Sequence, residues 1–306
     1  AHMALTATGI GSGLDIENLV TKLMEAERAP KQQRLLSRES AVTSNISGLG
    51  SLKGALSGLK TSLASANALS TFDQRNGSSS NSTSVAVSAS SSASLGNYTA
   101  TVQSLATSQS LAVRDTFSST DEAVGTGTLT LTFGTTSYTA DASDSLNDTY
   151  GGFTAKAGVA SKTITVDSTN NTLAGVRNAI NQADAGVTAA IVKSGDAYRL
   201  LISSDATGAE NSVQISVTDS GDGNDTNNSG LSRLAFNAQA GTGNVYQTVA
   251  AADANFTLNG LGLSSVSNTI TSVVDGLTIT LKGTTSSPVN LTVADNKAGI
   301  KSALNT

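Results

Sequence analysis

Val42-Thr43-Ser44-Asn45-Ile46-Ser47-Gly48-Leu49-Gly50-Ser51-Leu52-Lys53-Gly54-Ala55-Leu56-Ser57-Gly58-Leu59-Lys60-Thr61-Ser62-Leu63 sets the architecture of this chain. Val42, Leu49, Leu56 and Leu63 recur every seven residues, Leu52 and Leu59 fill the complementary heptad position, and Ile46 extends that side. Sustained over about three and a half heptads, the spacing suits a coiled-coil seam better than the face of a globular helix. Burying one Leu-sized side chain is worth roughly 1.5–3 kcal/mol, so the seven together represent about 10 kcal/mol or more, comparable with a whole domain's stability. The stripe therefore requires a partner. No second heptad run follows downstream, which puts the partner helix beyond Thr306 or on another subunit.

Toward the N-terminus, residues 14–27 predict a short amphipathic helix with Leu14, Ile16, Leu19, Val20, Leu23 and Met24 as its apolar positions. Asp15 and Glu17 sit in its first turn, where the helix dipole favours anions. Pro30, which lacks a backbone donor and crowds the preceding turn, is expected to end it before a second helix from about Lys31 to Asn67. Ala1-His2-Met3 reads as a cloning scar.

Toward the C-terminus the text changes. Asn76-Gly77-Ser78-Ser79-Ser80-Asn81-Ser82 has the composition of a linker. Short Val-, Thr- and Ile-rich strands follow at 84–88, 98–105, 128–133, 162–166, 187–192, 199–203, 213–218 and 254–259. Leu277, Ile279 and Leu281 alternate with threonines, as do Val289, Leu291 and Val293 with polar residues, and are expected to pair as a hairpin with one dry face. One helix, Thr172 to Ala183, with Asn171 as cap and Leu173, Val176 and Ile180 on one side, makes this region α+β.

Composition narrows the chemistry. The 306 residues include no Cys, no Trp and one His, which belongs to the scar. Nucleophilic, acid–base and metal chemistry near neutral pH has almost no side chains to use, so no catalytic residue, cofactor or metal ligand is assigned. The net charge of −5 and the scattered cations argue against nucleic acid. No apolar run approaches the roughly 18 residues of a membrane span, and the N-terminus has no signal-peptide pattern. A Ser/Thr/Gly/Asn-rich chain without cysteine fits export in the unfolded state with no cleaved leader.

Several motifs have bland readings that outweigh the chemical ones. Gly9-Ile10-Gly11-Ser12-Gly13 lacks a preceding strand and the dinucleotide spacing, leaving a loose start to the first helix. Ser220-Gly221-Asp222-Gly223-Asn224-Asp225 approaches a calcium nonapeptide, but it occurs once and Asn227 stands where an apolar anchor belongs, so a polar turn is expected. Ser57-Gly58-Leu59-Lys60 lacks the companion elements of penicillin-recognising enzymes. Asn-x-Ser/Thr triplets at Asn97, Asn255 and Asn290 are expected by chance in so polar a chain.

Three segments resemble a known family. Thr8-Gly9-Ile10-Gly11-Ser12-Gly13-Leu14-Asp15, running into Leu19 to Pro30, resembles the start of the flagellar filament-capping proteins, the FliD family. Thr172 to Asn181, then Gly186 to Ala189, Leu201 to Ser204 and Thr207-Gly208, is similar to the motif shared by flagellins and hook-associated proteins. Phe256 to Gly260, Ser267 to Ile270 and Val274 to Leu281 resemble the part of the cap protein that leads back to its stalk.

The resemblance implies an α+β chain: half of a coiled-coil stalk, then two β-rich head domains, the outer inserted into the inner. It assigns residues 4–33 to a flexible segment for export and filament contact, 34–75 to the helical leg, 76–113 with 244–297 to the inner head and 114–243 to the outer. Residues 298–306 would begin a truncated C-terminal return. It further implies a homo-oligomeric ring at the extracellular filament tip, exported by the flagellar type III apparatus. Flagellin, the hook–filament junction protein, an export chaperone acting through the missing C-terminus, and host mucin or glycan are the implied partners. A surface adhesin is the competing reading.

Overall fold

The computed structural model describes residues 15–67, 72–144, 147–238 and 242–304. It divides into two compact units, Ala1–Phe72 with Ala298–Thr306, and Asp73–Lys297. In the first, one helix, α1 (Ile16–Ala66), runs through Pro30 without interruption. The two helices expected on either side of that proline are therefore one, and residues 16–33, expected to be flexible, are helical. An internal proline costs about 3 kcal/mol by removing one ladder bond. Here the whole neighbourhood is exposed, so water can satisfy the freed carbonyl. Asp15 caps the start, its Oδ1 accepting from the Asn18 N–H at 3.0 Å. A Glu27–Lys31 pair at 3.2 Å spans the proline, though at this exposure it adds little.

In the second unit the chain first lays down β1 (Arg75–Ser79), β2 (Val85–Ala89) and β3 (Gly96–Ser104). It then builds β4 (Ser110–Val113), β5 (Gly127–Thr139), β6 (Thr149–Ala155), β7 (Lys162–Val166), α2 (Leu173–Gln182), β8 (Val187–Ser194) and β9 (Ala197–Ser204). After β10 (Ser212–Asp219), β11 (Phe236–Asn237), β12 (Thr242–Gly243) and β13 (Val245–Val249) it returns with β14 (Ala254–Leu258) and β15 (Leu261–Ser265). Finally come β16 (Thr269–Ile270), β17 (Leu277–Leu281) and β18 (Val289–Asp295); α3 (Lys297–Leu304) follows.

These strands enclose two cores. The inner lobe packs a five-stranded sheet, β1-β18-β3-β14-β15, and a three-stranded one, β16-β17-β2, around Val85, Val102, Phe256, Ile279 and Leu291. The outer lobe packs the sheet β12-β11-β10-β5-β6, with β7 also paired to β5, against β13-β4-β9-β8 and α2. Phe117, Leu129, Leu173, Ile180, Leu200, Ile215 and Phe236 are fully buried there. Inner-lobe residues come from both sides of the outer lobe's stretch, which is the insertion the resemblance implied.

Four local expectations are corrected. β17 and β18 do not pair: β17 lies between β16 and β2, and β18 between β1 and β3. Residues 282–288 cross from one sheet to the other, so the two apolar rows meet through the sandwich core rather than side by side. Period-two alternation specifies a buried face, and a hairpin and an arch between sheets satisfy it equally.

The linker-like stretch starting at Asn76 instead forms β1, whose backbone pairs with β18 from Arg75↔Asp295 to Ser79↔Leu291. A Cβ at Gly77 would stand 3.0 Å from the Val87 carbonyl oxygen, so the poor side-chain content of this strand is what lets it close against β2.

The cap of α2 is Thr172, not Asn171; its Oγ1 accepts the Gly175 N–H at 3.1 Å. The lobe boundary also moves. β4 and β13, expected in the inner head, pair with each other, and Leu111, Val113 and Val245 lie in the outer core. The crossing point is the Thr107–Ala252 bridge, with N–H···O distances of 2.9 and 3.2 Å.

Candidate assembly surfaces

At 1.5 Å per residue, the 51 residues of α1 extend about 76 Å. All seven seam residues, Val42, Ile46, Leu49, Leu52, Leu56, Leu59 and Leu63, are on this helix and between 53 % and 66 % exposed. Leu35, seven residues before Val42 and 68 % exposed, continues the stripe by another heptad, about two turns. The same heptad count, carried one repeat toward the N-terminus within the helix expected from Lys31, would have found it. Ile16, Leu19, Val20, Leu23 and Met24 are on the helix and exposed too, whereas Leu14 and Gly9–Gly13 lie outside the described residues.

This helix is a poor one by itself. Gly48, Gly50, Gly54 and Gly58 stand inside it with nothing within 4 Å of a built Cβ. Each costs about 1 kcal/mol relative to alanine, and from Val42 to Ala66 only Lys53 and Lys60 are charged, so few ion pairs compensate. Packing against the apolar stripe is the term large enough to offset these losses.

The flagellin-like motif becomes a contiguous scaffold in the outer lobe. α2 leads into the β8–β9 hairpin, and the Asn181 side-chain amide pairs with both backbone groups of Ala189, at 2.7 and 2.9 Å. Asn181 thus occupies a ladder position on the outer edge of β8. Thr207 and Gly208 end the motif at the inner lobe: Thr207 Oγ1 donates to the Val266 carbonyl at 2.7 Å and Ala209 N–H to Asp253 Oδ1 at 2.8 Å.

The Ser220–Asp225 segment is a loop tied down by its own side chains. Asp219 is buried and accepts the N–H groups of Gly221 and Ser232; Asp225 accepts the Asp219 N–H at 2.7 Å. Asn227 Nδ2 and the Asn224 N–H bond Asp222 at 2.6 and 2.9 Å, which holds its carboxyl below the ordinary value. Among the described residues, no group of three or more His, Cys, Asp or Glu is placed to hold a metal ion. Nor, among them, is any helix long and apolar enough to cross a membrane.

A family model for the N-terminus of flagellar hook-associated protein 2 matches residues 12–109, and one for its C-terminus matches residues 251–306. The B-type flagellar hook-associated protein 2 of Pseudomonas aeruginosa is 35 % identical over 309 residues, covering 98 % of this chain and 59 % of that protein. The flagellar hook-associated protein 2 of Escherichia coli K12 is 30 % identical over 270 residues, covering 87 % and 51 %. The chain thus spans between about half and three-fifths of the length of these curated relatives.

Among solved structures, the D1-D2-D3 domains of the E. coli flagellar cap protein FliD align with a TM-score of 0.67 and 26 % identity, covering 84 % of this chain and 64 % of that one. The D2-D3 domains of the Serratia marcescens cap protein align at 0.55 and 30 %, covering 69 % and 100 %. FliD (HAP2) from P. aeruginosa PAO1 aligns at 0.54 and 32 %, covering 72 % and 89 %.

Proposed function

The chain belongs to the flagellar hook-associated protein 2, or FliD, family, and on that premise we propose that it acts mechanically, as a cap at the distal end of the bacterial flagellar filament. Copies assemble into a ring whose β-rich lobes form a plate and whose α1 helices contribute half of each leg. Exported flagellin folds beneath the plate and inserts at the tip instead of being lost. In this reading α1 from residue 34 to Ala66 is the leg, Arg75 at the expected far end belonging instead to β1, and the seam from Val42 to Leu63 holds it to a partner helix. Residues preceding the leg contact the filament. The protein reaches the tip through the flagellar export apparatus and performs no covalent chemistry.

The observation that carries the reading is the exposed apolar stripe on α1, seven large side chains that water should not face, joined in sequence to two β-rich head lobes. Immunogold labelling of native filaments tests it. Label confined to distal ends, together with shed flagellin monomers when the gene is deleted, is expected. Label along the shaft, or full-length filaments in the deletion strain, would refute it.

A further inference from the structure

The sheet β13-β4-β9-β8 has one face in the outer core, where Leu111, Val187, Leu200 and Val245 are buried. Among the described residues no further sheet covers its other face, although Ala112 there is buried beneath its neighbours. There Val192, Arg199, Leu201, Tyr246 and Thr248 line a basin of about 360 Å³. Arg199 Nη1 donates to Tyr246 Oη at 3.0 Å, with its guanidinium 6.0 Å from the ring centroid. The Arg114 guanidinium is 5.5 Å from the same centroid. Two guanidinium groups thus flank one phenol ring.

Arg199 makes no ion pair among the described residues. A guanidinium carries five N–H donors in a rigid fork, and a single phenol oxygen uses one of them. The stacked, half-buried setting restricts the side chain beforehand, which lowers the entropy lost when an acceptor arrives. Exposed Val192 and half-buried Leu201 give the basin an apolar floor, and Ser194 and Thr116 give it hydroxyls, that of Thr248 being donated to the Ser110 carbonyl. A carboxylate on an extended polypeptide matches this combination.

The charge of the lobe indicates where that carboxylate comes from. Between Arg114 and Gly243 there are fourteen Asp or Glu against seven Lys or Arg. Lobes of that sign set side by side repel one another unless a cationic face on one meets an acidic face on the next. Head-to-tail contacts of this kind join unlike faces and close rings. We propose that the open sheet face centred on Arg199 and Tyr246 docks an acidic surface of the outer lobe of a second copy of this chain. The proposal rests on the ring reading above and names one of its contacts.

The test uses the full chain with the photo-cross-linker p-benzoylphenylalanine in place of exposed Thr248, and sedimentation at low and high salt. An intermolecular cross-link to an Asp- or Glu-bearing segment within 114–243 is expected. Arg199→Gln should weaken association about tenfold at low salt, and salt should weaken the parent chain likewise. Arg177→Gln, the same charge change on α2, should leave association unchanged, and Tyr246→Phe should fall between.

Association insensitive to Arg199→Gln but abolished by Leu56→Asp in the seam would overturn this contact and leave the ring reading standing. A chain that stays monomeric at its highest soluble concentration would overturn both. Saturable binding of polygalacturonate that depends on Arg199, with no cross-link between copies, would replace the second copy by an acidic polysaccharide and overturn the occupant.

Discussion

Gln109 Nε2 donates to Gln247 Oε1 at 2.8 Å between two side chains that are 1 % and 2 % exposed. Around them, Gln109 Oε1 accepts the Val213 N–H of β10 at 2.6 Å, and Tyr150 Oη accepts the Gln247 N–H at 3.0 Å. The amide pair therefore ties the two sheets of the outer lobe together. Gln109→Leu would leave Val213 N–H and Gln247 Oε1 unpaired in an apolar core. A loss of roughly 2–4 kcal/mol is expected, read as a lower denaturant midpoint at constant slope.

The seam should matter for association and not for the head. Leu49→Asp with Leu56→Asp on α1 is expected to leave the main thermal transition of the β-rich unit within about 0.5 kcal/mol of the parent. Concentration-dependent helicity in the far ultraviolet should disappear. Unchanged concentration dependence would show that the stripe is not the contact.

Gly208 joins the lobes in a conformation few residues adopt. Its φ is +103°, and a Cβ there would lie 2.8 Å from Val266 Cβ and 3.0 Å from the Val266 carbonyl oxygen. Gly208→Val should cost about 2 kcal/mol or more and expose the connections at 107 and 252 to limited proteolysis. Asp253→Asn keeps an acceptor for the Ala209 N–H and should cost less than about 1 kcal/mol.

Acid should weaken the outer lobe partly through Glu122. Its carboxylate accepts the Ser118 N–H at 2.6 Å and the Ser118 hydroxyl at 2.8 Å, and Arg233 stands nearby, so its pKa is lowered from 4.5. A carboxyl lowered in the folded state contributes stability that is present above the unfolded value and lost as pH falls through the folded one. Stability should thus decline below about pH 4.5, and Glu122→Gln should flatten that part of the curve in a urea titration.

The heptad from Val42 to Leu63, the strand at Lys162–Val166 and the buried side of α2 were legible because each is a local periodicity. Backbone geometry alone turns a spacing of seven, two or three to four into a face. The continuity of α1 through Pro30 was not legible, since a proline's cost is decided by what surrounds it. β1 was invisible because, after Arg75, it consists of Asn, Gly and Ser while its backbone does the pairing. The family resemblance supplied the insertion of one head in the other, which no local pattern encodes.

By itself, then, the sequence determined a helix with an apolar seam, a series of alternating strands and a chain with no cysteine and a single histidine. Tertiary structure decided which strands are neighbours: β17 and β18 in opposite sheets, β4 and β13 in the outer lobe, and Gln109 against Gln247 across 138 residues. Alternation fixes which way a side chain points, but pairing is chosen by long-range packing and by where buried polar groups find partners. A lone glutamine in a polar sequence gives no sign of that choice.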